Sequence, residues 1–210
     1  MTDGPRGRLI ALEGIDGCGK STQAALLAER LGALLTFEPG ATALGDSLRT
    51  LLLGTDRPPV SERAEALLMA ADRAQHVAES VEPALAAGTW VVTDRFSGST
   101  FAYQGYGRGM DLGELDRLVS WATDGVSPDL NVLVEVPVGV AAERRAGGWA
   151  DRFEGLGLTF QERVAEGFGR LAHHHPDTWL VVDGTGTVED VASAVWSGIR
   201  RRFGNELSDG

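Results

Sequence analysis

The chain has 210 residues, 43% of them hydrophobic and 23% charged, which suits a soluble domain with a proper core. Its formal net charge of −11 argues against a general nucleic-acid or membrane-surface binder, which would need basic patches, but leaves room for a small anionic substrate held by local arginines. The single cysteine, Cys18, excludes an intrachain disulfide and fits a reducing, cytoplasmic setting.

The N-terminal "MTDGPRGR" has no apolar core, so no secretory signal is expected. No run approaches the ~18 to 20 apolar residues of a membrane span. "RLIALEG" (8–14) reads as a short buried strand. "KSTQAALLAERLG" follows as a helix with Ala24, Leu27, Ala28 and Leu31 at helical spacing, stopped by Gly32. "ALLTF" (33–37) is a second strand, and 43–54 is helical. Residues 61–88 form a long helical region with Ser61 as N-cap, Ala64, Leu67, Leu68 and Ala71 on one face, and Gly88 at its end.

"TWVVTD" (89–94) is a strand ending on an aspartate, 112–125 is a helix, and "LNVLVEV" (130–136) is another buried strand. A helix starts at Pro137, where proline is tolerated. The glycine-rich, mixed-charge run 147–157 reads as a mobile loop. A helix closed by Pro176, the strand "TWLVVDG" and a last helix over 187–203 follow, leaving 204–210 as a frayed tail. Five strands separated by helices imply right-handed crossovers: an α/β fold, one domain over 1–210, with a parallel five-stranded sheet covered by helices on both faces.

The segment Gly14-Ile15-Asp16-Gly17-Cys18-Gly19-Lys20-Ser21 fits G-x-x-x-x-G-K-[ST] at every fixed position, after a strand and opening a helix. Glycines let successive N–H groups converge on a phosphate, and the helix N-terminus adds partial positive charge. Residues 14–22, Gly14 through Thr22, are therefore the expected ATP site. Lys20 reaches the outer phosphates, and Ser21 is a ligand for Mg²⁺. Cys18 reads as a small filler, since no nearby histidine activates it. Asp94, at the C-terminal end of a strand, is the second expected metal or metal-water ligand, and Arg95 beside it is placed to bridge phosphates. His173, His174 and His175 read as a helix end, because consecutive helical side chains point about 100° apart.

The ordered set "GIDGCGKS", "EPGAT", "ALLMAADRAQH", "TDRFSGSTFAYQGYGRG" and "ADRFE" resembles the motifs of bacterial thymidylate kinases, from about residue 8 to 203. The resemblance implies a single P-loop kinase domain with a mobile lid, transferring the γ-phosphate of ATP to dTMP with Mg²⁺, and a homodimer formed through helix faces such as 61–88. It implies that Asp16 holds the sugar 3′-hydroxyl, that Arg73 hydrogen-bonds the thymine ring and that Arg95 contacts the acceptor phosphate. Thr100 and Gln104 would line the base and Tyr103 the sugar, with Glu38, Arg49, Met69 and Ser99 completing the acceptor pocket. Lys20, Asp16 and Arg95 would carry catalysis together with the lid arginines Arg145 and Arg152, Arg144 being a weaker candidate.

The chain departs from the family pattern in three places: Phe37 replaces an arginine, Met69 a stacking phenylalanine, and Gly147-Gly148 stand where arginine is common. These leave dUMP or a 5-substituted deoxyuridylate open as an alternative acceptor. A non-catalytic ATP-binding protein is the alternative of another class, and convergence of Arg73 and Gln104 on one pocket discriminates against it.

Overall fold

The computed structural model describes residues 5–54, 58–146 and 153–207. Five strands, β1 (Leu9–Glu13), β2 (Leu34–Phe37), β3 (Val91–Asp94), β4 (Leu130–Glu135) and β5 (Trp179–Asp183), form one parallel sheet in the order β2-β3-β1-β4-β5. The buried run Leu9–Glu13 puts β1 at its centre. Alternate residues of β1 enter different cores, as period-2 side chains must. Leu9 and Ala11 pack with Val77, Val81 and Leu85. Ile10 and Leu12 join the larger cluster with Ala24, Leu27, Val195 and Ile199. Both faces of the sheet are thus covered, as a parallel sheet requires.

The helices are α1 (Lys20–Leu31), α2 (Ala43–Leu53), α3 (Glu62–His76), α4 (Glu82–Ala86), α5 (Ser97–Thr100), α6 (Leu112–Thr123), α7 (Val138–Arg145), α8 (Leu158–His174) and α9 (Val188–Phe203). The long helix expected over 61–88 is interrupted by a π-helical turn at Val77–Val81. Pro83 lies in the first turn of α4 and has no N–H to return to the helical ladder, which accounts for the break. The second strand starts at Leu34 because the amide of Ala33 closes α1 on the Ala28 carbonyl.

Residues 97–107 carry no helical expectation from the sequence, yet they form α5 and a π-helical stretch, Phe101–Gly107. Their glycines hide the helix, and close packing explains them. A Cβ at Gly105 would lie 2.5 Å from Leu112, and one at Gly107 2.8 Å from Phe160. Residues 204–207, expected to fray, are tied back: Leu207 N–H bonds to the Phe203 carbonyl and Glu206 pairs with Arg8 at 2.8 Å. Residues 208–210 lie outside the described residues.

The register sets the site. Leu12 and Phe37 both lie opposite Asp94. The chain segments leaving β1, β2 and β3 therefore emerge side by side at the C-terminal edge of the sheet, where open α/β sheets bind ligands.

Candidate active site

The turn from β1 into α1 is a phosphate loop by geometry as well as by sequence. Gly14, Gly17 and Gly19 all have positive φ. Gly17 also has no room for a side chain, since a Cβ would meet the Ala141 carbonyl oxygen at 2.4 Å and Arg145 Cγ at 2.9 Å. Gly19 caps α1 in the left-handed conformation, leaving the first-turn amides pointing outward, as an anion site needs. Gly19, Ser21 and Thr22 are exposed, while Ile15 and Cys18 are buried as filler. Lys20 folds back over the loop, 3.4 Å from the Ile15 carbonyl and 3.3 Å from Asp16 Oδ1, both long contacts.

Beside the loop, Ser21 Oγ donates to Asp94 Oδ2, and Asp94 Oδ1 is buried without a partner among the described residues. A hydroxyl and a carboxylate with an orphaned oxygen are the hard donors that suit Mg²⁺. No group of three His, Cys, Asp or Glu among the described residues is arranged to hold a metal, the histidines at the end of α8 included.

The residues expected to bind the acceptor converge. One cavity is lined by Asp16, Glu38, Arg49, Met69, Arg73, Arg95, Ser99, Thr100, Tyr103 and Gln104, together with Pro39, Leu53, Asp72 and Phe153. Arg95 and Asp16 join it to the phosphate loop. Arg95 takes a positive φ of 74°, unusual for a side-chain-bearing residue, and its Nη1 donates to the Gly14 carbonyl at 3.1 Å. Its Nη2 donates to Asp16 Oδ1 at 2.5 Å, and the Tyr103 hydroxyl donates to Asp16 Oδ2 at 2.8 Å. Burial alone would raise the Asp16 carboxyl, but Arg95 and Lys20 outweigh it and hold the group well below the usual carboxylate range. Burial raises the Tyr103 hydroxyl well above its ordinary value, so it stays a donor.

Arg73, on α3, is buried. Its Nε donates to Glu38 Oε2 at 2.8 Å, Nη1 to Thr100 Oγ1 at 2.8 Å and Nη2 to the Phe96 carbonyl at 2.9 Å. His76 Nδ1 lies 2.9 Å from Glu38 Oε1, and its other ring nitrogen lies 2.7 Å from Thr36 Oγ1. Asp72 accepts from the Gly40 amide; burial first, then the nearby Glu38, push its carboxyl up to about 6. Arg49 donates to the Pro39 carbonyl at 2.7 Å and lies over the half-exposed ring of Phe37.

Of the arginines expected to act from the lid, Arg145 packs at the end of α7 against Gly17. Arg144 donates to the Gly184 and Cys18 carbonyls, so it braces the loop rather than reaching across it. Arg152 lies with residues 147–152 outside the described residues. Phe153, within the expected lid, is buried and meets the Tyr103 ring edge-on at 5.6 Å.

Glu13 escaped the sequence reading because it looks like the last residue of an ordinary strand. It is fully buried and accepts from the amides of Phe96 and Ser99 and from Ser99 Oγ at 2.6 Å. Ser99 Oγ in turn accepts from Arg95 Nη1 at 2.9 Å. Burial raises the Glu13 carboxyl from 4.5 to about 7. The folded state then holds this proton more tightly than the unfolded chain does. The resulting stability is complete below pH 4.5 and is lost as pH rises through about 7. The full effect is on the order of 3 kcal/mol. Glu13→Gln keeps the acceptors for both amides and removes the titration. Urea unfolding between pH 5 and 8 is therefore expected to show a flatter stability profile in this variant than in the wild type.

Comparison with known proteins agrees with the geometry. A family model described as thymidylate kinase matches residues 12–195. The chain belongs to the thymidylate kinase family. A thymidylate kinase of Synechococcus sp. (strain RCC307) is 49% identical over 204 residues, covering 90% of this chain and 94% of the relative. One from Geobacter sp. (strain M21) is 43% identical, with 94% and 93% covered. The solved structure of thymidylate kinase from Ehrlichia chaffeensis superimposes with a TM-score of 0.76 at 32% identity, covering 93% of this chain and 99% of the other. As a member of the thymidylate kinase family, the chain is an ATP-dependent nucleoside monophosphate kinase that uses Mg²⁺.

Proposed function

We propose that this chain is a thymidylate kinase in which the phosphate loop takes ATP and the adjoining cavity takes dTMP, giving dTDP and ADP. The observation that carries this reading is that Arg73 and Gln104 line one cavity which Asp16 and Arg95 join to the phosphate loop. A simple ATP switch has no use for a second, arginine-rich cavity there.

The chemistry is mainly positioning and charge neutralisation. A phosphate oxygen of dTMP forms the new bond to the γ-phosphorus as the bond to the β–γ bridging oxygen breaks, and ADP leaves with that electron pair. Loop amides and Lys20 hold the ATP phosphates. Arg95 contacts the acceptor phosphate beside them. Ser21 and Asp94 hold the Mg²⁺, which neutralises phosphate charge when bound. Arg73 has N–H groups beyond its three protein bonds to offer O4 of the ring, with Thr100, Met69 and Phe153 around the base. Asp16 and Tyr103 take the deoxyribose. Arg145, with Arg152, stabilises the moving phosphoryl group. Met69 is partly buried against the core and supplies a polarisable thioether in place of an aromatic stack.

The protein works in the cytoplasm as a homodimer. Leu51, Leu67 and Trp121 support the dimer, being exposed apolar side chains on α2, α3 and α6; a sedimentation mass of one 22.2 kDa chain would overturn it. No helix among the described residues is long and apolar enough to cross a membrane.

The kinase reading is tested by coupled ADP release with ATP, Mg²⁺ and a panel of dTMP, dUMP, UMP, dCMP and dGMP. Preference for dTMP is expected. Preference for dUMP would move the substrate and keep the kinase, and no acceptor-dependent turnover by a folded, ATP-binding chain would favour the switch.

A further inference from the structure

Behind the base end of the cavity lies a buried ionic cluster that the reaction does not itself need. Glu65 on α3 is 1% exposed. Arg108 clamps it with two bonds, Nη2 to Oε2 at 2.7 Å and Nε to Oε1 at 3.2 Å. The Arg108 guanidinium also stacks near Phe160 and Phe153, 5.3 Å and 5.9 Å from the ring centroids, which fixes it further. The remaining contact of the Glu65 carboxylate comes from Gln104, whose Nε2 donates to Oε1 at 3.1 Å.

We infer that Glu65, held by Arg108, sets the orientation of the Gln104 carboxamide and thereby makes the site select a thymine-type edge over cytosine. This rests on the reading of the cavity as the acceptor site. A carboxylate clamped by an arginine accepts and does not donate. Gln104 must therefore turn its NH₂ toward Glu65, and its Oε1, which has no protein donor among the described residues, is left to the cavity it lines.

A carbonyl oxygen facing the base pairs with N3–H of thymine or uracil. Arg73, a donor only, pairs with O4. Cytosine presents the opposite pattern, an N3 acceptor and an N4 amino donor. It would set acceptor against acceptor at Gln104 and donor against donor at Arg73. Glu65 is a positioning residue, acting through Gln104 without touching the ring. It separates pyrimidine classes and does nothing to distinguish dTMP from dUMP.

The test is Glu65→Gln. Arg108 still needs an acceptor, so the new amide turns its oxygen to Arg108 and its NH₂ to Gln104. Gln104 then flips and presents NH₂ to the cavity. The dTMP-to-dCMP ratio of kcat/KM is expected to fall by about 10- to 100-fold, the range of one well-placed base contact. A ratio taken on one preparation cancels the active fraction, so a merely structural role of Glu65 leaves it unmoved. Gln104→Met keeps the length of the side chain and removes the oxygen. It is expected to lower the same ratio, and it carries the test if Glu65→Gln does not fold. A wild-type protein that turns over dTMP, with the ratio unchanged in the folded variants, overturns this inference alone. A wild-type protein with no dTMP turnover overturns the acceptor-site reading beneath it.

Discussion

Lys20→Ala is expected to lower phosphoryl transfer by about 10³-fold or more while leaving the fold intact, the scale of losing one charged group from a preorganised anion site. The structure separates the two effects. Among the described residues Lys20 makes only long contacts, to the Ile15 carbonyl and to Asp16, and Asp16 keeps Arg95 at 2.5 Å when the lysine is gone. Alanine is also a good residue for the first turn of α1. No buried charge is stranded, so urea unfolding of the variant should match the wild type. Single-turnover transfer from ATP to dTMP checks the catalytic half. Near-normal transfer would mean that the loop amides and arginines suffice without the lysine.

Arg73→Ala is expected to do damage of a different kind. Read from the sequence as one base contact, it would cost ~1.5–3 kcal/mol of acceptor recognition. The structure makes it more than that. Arg73 ties Glu38, Thr100 and the Phe96 carbonyl into one buried network across three segments. Its removal leaves the buried Glu38 carboxylate with His76 as its remaining side-chain partner. Breaking a buried pair from one side costs about 3–5 kcal/mol of stability. We expect both a clear drop in urea midpoint and a loss of at least about 100-fold in kcat/KM for dTMP, with the ATP KM little changed. A folded variant with unchanged dTMP kinetics would remove Arg73 from base recognition.

These two residues also mark what the sequence could reveal. The phosphate loop was legible because its chemistry is local: glycine spacing, a lysine and a hydroxyl residue act through backbone a few residues away. The order of strands and helices was legible from apolar runs for the same reason. The burial of Arg73 left no local signal, because the groups it bonds to lie 23 to 35 residues away in the chain. Glu65 and Arg108 left no local signal, since their pairing spans 43 residues and is brought about by packing. Residues 97–107 escaped as a helix because glycines that allow close packing against Leu112 and Phe160 read as turn signals. The resemblance supplied the acceptor residues that physics alone could not gather from such separated segments. It did not supply a role for Asp72, Phe153 or Glu13, which support or line the site: the first two lie within the matched motifs beside residues that carry a role, and Glu13 directly precedes the phosphate loop.

The most direct test of the central claim is a crystal structure of the protein with dTMP and ADP bound. The account predicts the thymine ring in the cavity with O4 at Arg73 and N3 at Gln104, the sugar by Asp16 and Tyr103, and the phosphate at Arg95 facing the loop that holds ADP. A nucleotide with its phosphate turned away from Arg95, or bound outside this cavity in a protein that turns over dTMP, would contradict it.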